Sequence, residues 1–210
     1  MQLLGRLEIK SKEKIIKFLN EQDTGRVCSI DKDGYPQIIP MNFVYANDVI
    51  YMHSHTKGEK IENIKRNNKA GFEVDKSVEF LPSYFTDPTD ASQADTLYIS
   101  VVIKGTAVLV SDRSEKTLAL NALMKKYQPE GRYENMRPDM GVIDEVAIIK
   151  VIPDTIRGKY KIGQHLDRKT RLELARKILE RNRSGAQNTL EIMGIRQTKD
   201  GLEIVEDPLW

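Results

Sequence analysis

His53 and His55 stand two residues apart in VIYMHSH (49–55), and on a strand such a pair shares one face. Two imidazoles there can relay protons near neutral pH or contribute to a metal site. A metal wants three or four ligands, and spacing supplies no third, so the expectation is no metal. The run continues as MHSHTKGEK, which sets His53 and Ser54 at a strand end and Gly58 and Lys60 at the mouth of the next helix. A helix N-terminus offers free backbone N–H groups and a partial positive charge, so this turn suits a phosphate, with Lys60 adding a full charge. A plain capped turn with a solvated lysine accounts for the same residues. A third feature is polar: Asn42 stands among Pro40, Met41, Phe43 and Val44 in VCSIDKDGYPQIIPMNFVY (27–45), an amide in an apolar run.

The elements that must hold these residues read as a β meander with short helices. Ser11 to Asn20 has helical spacing. Val27 to Ile30 and Gln37 to Tyr45 read as strands joined by Asp31-Lys32-Asp33-Gly34, where glycine accepts a positive φ. Val49 to His55 alternates as a third strand, and Glu59 to Asn67 as a helix burying Ile61 and Ile64. Ala70 to Val74 is expected as a strand, and residues 76–95, with two prolines and four acids, as a long acidic loop. Thr96 to Val110 is the strongest β signal, with a bulge or sharp bend expected at Gly105. Ser114 to Tyr127 reads as a helix with Leu118, Ala119, Ala122 and Leu123 on its apolar stripe, and Val146 to Ile152 as the closing strand. Successive strands interrupted by short helices imply a mainly β fold, an antiparallel sheet curled into a barrel with helical decoration.

The chain has 210 residues, 40% hydrophobic and 30% charged, with 33 Lys and Arg against 31 Asp and Glu. A net charge of +2 argues against a polyanionic partner. Apolar runs are too short for a membrane span and MQLLGRLEIK lacks a signal-peptide core, so a cytoplasmic protein is expected. Cys28, the one cysteine, excludes an intrachain disulfide and reads as a packed thiol. P-loop, GxGxxG, HExxH and nucleophile-elbow signatures are absent. Asp167 to Arg183 is expected as a helix with Leu172, Ala175, Ile178 and Leu179 on one stripe and seven basic residues against three acids. A solvated basic face is the simpler account, with nucleic-acid contact the alternative. Thr198-Lys199-Asp200-Gly201 suits a turn, and the only tryptophan, Trp210, could dock on its own domain or cap a neighbouring subunit's pocket.

RVCSIDKDGYPQIIPMNFVY, VIYMHSHTKGEKIENIKRN, AGFEVD and DTLYISVVIKGTAVLVSDRSEKTLALNALMKKYQPEG resemble, in order and spacing, the FMN-binding split-barrel superfamily related to pyridoxamine 5′-phosphate oxidase, nearest its nitroimidazole-reductase-like branch. The resemblance spans about residues 5–162, suggesting a barrel domain over 1–162 and a C-terminal helical extension over 163–210. It implies a homodimer of six-stranded antiparallel split barrels with FMN in clefts at the interface. Pro40, Met41, Asn42 and Phe43 would run beside the flavin ring, the Asn42 amide meeting its pyrimidine edge as both donor and acceptor. His53, Ser54, Gly58 and Lys60 would meet the phosphate, Ser100 and Val101 would approach from the other side, and His53 or His55 would face the reactive side. Met41, Tyr45 and Gly58-Glu59-Lys60 stand where the vitamin B6 oxidases themselves carry more cations, which argues against that substrate and leaves haem or a deazaflavin as other ligands. The implied function is an FMN-dependent, nitroreductase-like oxidoreductase taking electrons from a nicotinamide nucleotide or another donor and passing them to a small planar substrate. The alternative is a non-catalytic flavin or haem carrier or sensor.

Overall fold

The computed structural model describes residues 5–205. Its elements, in chain order, are β1 (Glu8–Ile9), α1 (Lys12–Glu21), β2 (Thr24–Ile30), β3 (Pro36–Asn42), β4 (Val44–Ala46), β5 (Val49–His55), α2 (Glu59–Arg66), β6 (Lys69–Leu81), β7 (Asp95–Leu109), α3 (Arg113–Tyr127), α4 (Val142–Glu145), β8 (Val146–Lys161), α5 (Arg168–Arg181), α6 (Ala186–Ile192), β9 (Ile195–Thr198) and β10 (Gly201–Ile204). Eight strands form one sheet in the order β3-β2-β6-β7-β8-β5-β4, with β1 paired to β8. The fold is mainly β and fits a split barrel, with more strands than the six expected.

Four expectations are corrected. The predicted strand Gln37 to Tyr45 is two strands, broken at Phe43, whose fully buried ring turns into the core. Residues 76–95 are not one long loop: β6 continues to Leu81, and short 3-10 turns occupy Ser83–Phe85 and Ala91–Gln93. The inward alternation of Ala70, Phe72 and Val74 lapses beyond Asp75, and the strand continues to Leu81 with Val78 and Leu81 packed into the second unit's core. On α3, Leu118 lies on the exposed side, and the buried face is Lys116, Thr117, Ala119, Leu120 and Leu123. At Gly105, β7 is continuous and keeps its inward alternation, so no bulge shifts its phase there. Close packing requires the glycine, since a Cβ there would lie 2.1 Å from the Ile152 carbonyl oxygen.

The chain divides into two compact units. One comprises 16–74 and 101–157. Its core gathers Val44, Tyr51 and Ile148 from the sheet under Ala119, Leu120 and Leu123 of α3. Asp112 caps α3 by accepting from the Glu115 N–H at 2.7 Å, satisfying one of its orphan donors. The β4–β5 turn places Asn47 and Asp48 at φ 52° and 63°, the left-handed pair that a two-residue hairpin demands.

The other unit comprises 1–15, 75–100 and 158–210. Its core joins Leu81, Phe85 and Leu97 to Ala175 and Ile178 of α5 and Leu190 of α6. Asp167 caps α5 and Asn182, at φ 51°, ends it, so the predicted helix loses its last two residues. The predicted turn 198–201 joins β9 to β10. Trp210 lies outside the described residues.

Candidate functional site

Within the first unit, β3 pairs along β2 from Ile30↔Pro36 to Thr24↔Asn42 and ends the strand order of the sheet. Pro36, Ile38, Pro40 and Asn42 alternate onto one exposed face, while Gln37, Ile39 and Met41 turn inward. Ile38 is 62% exposed, so this is an uncovered apolar strip that finishes in the Asn42 amide.

Three side chains fix that strip. Asn63, buried in α2 between Ile61 and Ile64, donates to Gln37 Oε1 of β3 at 3.1 Å and to Ser29 Oγ of β2 at 3.4 Å. Its own carbonyl oxygen accepts from Arg66 at 2.8 Å. The helix is thereby tied to both strands through one satisfied amide. At the β3–β4 break, the Phe43 N–H donates to Tyr127 Oη at 2.8 Å. The tyrosine's single proton serves the carbonyl of Asp23 at 2.6 Å or that of Phe43 at 2.9 Å. The Phe43 N–H is therefore engaged, its carbonyl shares the hydroxyl proton with that of Asp23, and Asn42 is held next to a clamped residue. Tyr127→Phe strips the Phe43 N–H of its partner and is expected to cost about 2 kcal/mol of stability in urea denaturation.

Lys126, the neighbour on α3, lies with Nζ 3.8 Å from the centre of the Phe43 ring and donates to the Leu19 carbonyl at 3.1 Å. Burial lowers its pKa from the usual 10.5 to about 8, against the opposing pull of Asp23. A base depressed in the folded state is protonated more readily in the unfolded one. Between about pH 8 and 10.5 the unfolded chain therefore binds more protons, and stability from this group rises with pH across that window. Urea midpoints for Lys126→Met should lack this rise.

β5 runs antiparallel to β8, with His53 opposite Ile148 and His55 opposite Val146. His53 and His55 share the exposed face and Ser54 is buried on the other. His55 Nδ1 accepts from the Lys57 N–H at 3.1 Å, which shapes the turn into α2. Gly58 caps that helix at φ 133° with no side-chain cap, and a Cβ there would meet nothing within 4 Å. Its carbonyl accepts from Ile61 and Glu62 at 3.0 and 3.2 Å. The N–H groups of Glu59 and Lys60 thus precede the first turn's bonds and face an open approach. Lys60 is half-buried and Lys57 exposed.

Of the predicted residues, Pro40, Asn42, His53, His55 and Gly58 are exposed, Met41 and Lys60 half-buried, and Phe43, Ser54 and Val101 buried. Ser100 is half-buried, next to Val101 in β7. Phe43 and Val101 are core side chains. Among the described residues no three metal-ligating side chains converge, and no helix is long and apolar enough to cross a membrane. Asn63, Lys126 and Tyr127 were not legible as site supports. The one signal was an asparagine set between the two buried isoleucines of α2.

Residues 11–160 match the family described as pyridoxamine 5′-phosphate oxidase. The chain belongs to that family. Among solved structures, it is similar to a protein from Bacteroides thetaiotaomicron provisionally named for 5-nitroimidazole antibiotic resistance, at 26% identity over 73% of this chain and 86% of that one, with a TM-score of 0.62. A flavocytochrome from Azotobacter vinelandii shares 19% identity over 77% of this chain and 72% of its own, with a TM-score of 0.66. An FAD- and haem-binding protein from Mycobacterium smegmatis shares 18% over 73% of each, with a TM-score of 0.63. These two show the family's fold in more distant chains. Comparison with curated proteins gave no match.

Proposed function

We propose that the chain binds FMN and serves as an FMN-dependent, nitroreductase-like oxidoreductase acting on a small planar substrate, as a homodimer with the flavin at the interface. The observation that carries this reading is the uncapped, open N-terminus of α2 at Gly58, in the same unit as an exposed apolar strip ending in an amide. The site suits the group: a phosphate fits where a side chain at Gly58 would otherwise stand, and an apolar ring system fits Ile38 and Pro40.

When bound, the flavin supplies hydride and single-electron transfer. The chain supplies the rest. The N–H groups of Glu59 and Lys60 and the Lys60 ammonium hold the phosphate, with the Glu59 carboxylate as the opposing charge. The Asn42 amide donates and accepts at the ring's polar rim, kept in place by the Tyr127 clamp. His53 and His55 line the exposed face of β5 and can hold or pass a proton at their ring nitrogens.

The similarity to the Bacteroides protein favours a nitro compound as the oxidant, and a nicotinamide nucleotide is the natural donor. The purified protein is expected to show a flavin spectrum, with FMN released on denaturation. Anaerobic NADH or NADPH should bleach it, and a nitroaromatic should restore the colour. Colour that persists in excess donor would support the carrier reading, and haem bands would replace FMN altogether. Lys60→Met should weaken FMN binding about tenfold, the loss expected for one charge-assisted contact.

A further inference from the structure

The second unit contains a cavity of about 270 Å³ that the flavin reading does not use. One side comes from residues inside the family match: Leu81 at the end of β6, Pro82 and Phe85 after it, and Asp95 and Leu97 of β7. The other comes from residues beyond the match at 160: Lys161, Gly163, His165 and Leu166, then Thr170, Glu173, Leu174 and Lys177 of α5. The last four are spaced i, i+3, i+4 and i+7, one face of the helix, while Arg171, Ala175 and Ile178 on another face enter the core. The amphipathic pattern of α5 thus has two destinations. The extension seals its own core and closes a cavity that residues 11–160 alone would leave without a wall.

We propose that this cavity is a binding site for a small apolar carboxylate, a compact hydrocarbon or aromatic body carrying one negative charge. The body is matched by Leu81, Phe85, Leu97, Leu166 and Leu174. The charge follows from the pairing of the lining groups. Asp95 is neutralised by Lys161, whose Nζ lies 2.6 and 2.5 Å from its two oxygens. Glu173, also on the lining, pairs with Lys169 one turn back at 3.9 Å. The Lys177 ammonium donates to the carbonyl oxygen of Phe85, an uncharged acceptor, and among the described residues it forms no ion pair, so its other N–H bonds are available. A carboxylate is the partner that completes it.

His165 is a second donor on the lining. Burial first, then the cations of Arg6 and Lys161, lower its pKa against the opposing Asp95, so the imidazole at the cavity rim is neutral in a positive environment. It can donate to an anion without itself adding a charge. The cavity lies at the small end of ligand sites, which restricts the body to about one ring.

The test uses the full chain as purified, with benzoate and its neutral isostere benzamide as probes in titration calorimetry. Benzoate is expected to bind, and benzamide at least tenfold more weakly. Lys177→Met should weaken benzoate about tenfold, and Leu174→Trp, which fills the cavity, should abolish it without changing FMN content. A location that does not depend on a filling variant comes from the His165 ring resonances, assigned by their loss in His165→Gln, which should shift on adding benzoate. Equal binding of the two probes, unaltered benzoate affinity in Leu174→Trp, unmoved His165 resonances, or no benzoate binding would each overturn the proposal.

Discussion

Gly105→Ala should lower the stability of the chain by about 3 kcal/mol or more, a large share of what a domain of this kind possesses. The added methyl would stand 2.1 Å from the carbonyl oxygen of Ile152, 2.9 Å from its carbon and 3.1 Å from Pro153 Cα. All three are backbone atoms, so no rotamer change relieves the contact. β7 or the Ile152–Pro153 segment of β8 must move. Gly71→Ala is the matched control, because its methyl would meet Cys28 Cβ at an ordinary 3.5 Å. That variant is expected within about 1 kcal/mol of wild type, with β-strand propensity gained against small repacking. Urea midpoints for the pair would separate a close-approach glycine from one that is merely in a strand.

Phe43→Ala is the second large effect, and it reaches the site. Phe43 is completely buried and meets Phe72 edge-to-face, with centroids 5.0 Å apart and planes at 66°. Truncation removes that pair and the ring beneath Lys126, and leaves a cavity, for a cost of about 3–5 kcal/mol. Asn42 is adjacent, so on the proposed flavin-binding role the flavin content should fall with thermal stability. Phe43→Leu refills most of the volume and should recover more than half of the loss. If Phe43→Ala lost stability but retained its flavin, Asn42 would not depend on this anchor.

Local periodicity was sufficient for β2, α2 and α5, because each has one buried and one wet face, whereas for β5 and α3 it located the element but not its buried residues, Tyr51 being buried beside Ile50 and Met52 and Leu118 exposed. It failed where both sides of a strand have mixed character. In β3–β4 the apolar run continues through Phe43, and nothing local marks the residue at which the chain changes strand. In β6 and β8, charged residues and Pro153 hide strands that extend well past 74 and 152. The site divides the same way. Gly58 and Lys60 stood out as candidates because a glycine before a helix has a local meaning, and the structure does start α2 at Gly58; Asn42 stood out because an amide in an apolar run is conspicuous. Tyr127 lies 84 residues from the backbone it clamps, and His165 and Lys177 acquire a role only when α5 covers a cavity. No spacing rule connects such partners.

The position of β3 at the end of the strand order carries a further consequence. An edge strand with Ile38 exposed, and Tyr35 exposed just before it, is a template on which another chain can add itself and begin a fibril. Pro36 and Pro40 stand along that border and lack the N–H that an incoming strand would need, so the ladder is interrupted at alternate steps. The same two prolines that leave the strip open to a flat ligand also guard it against amyloid-like stacking.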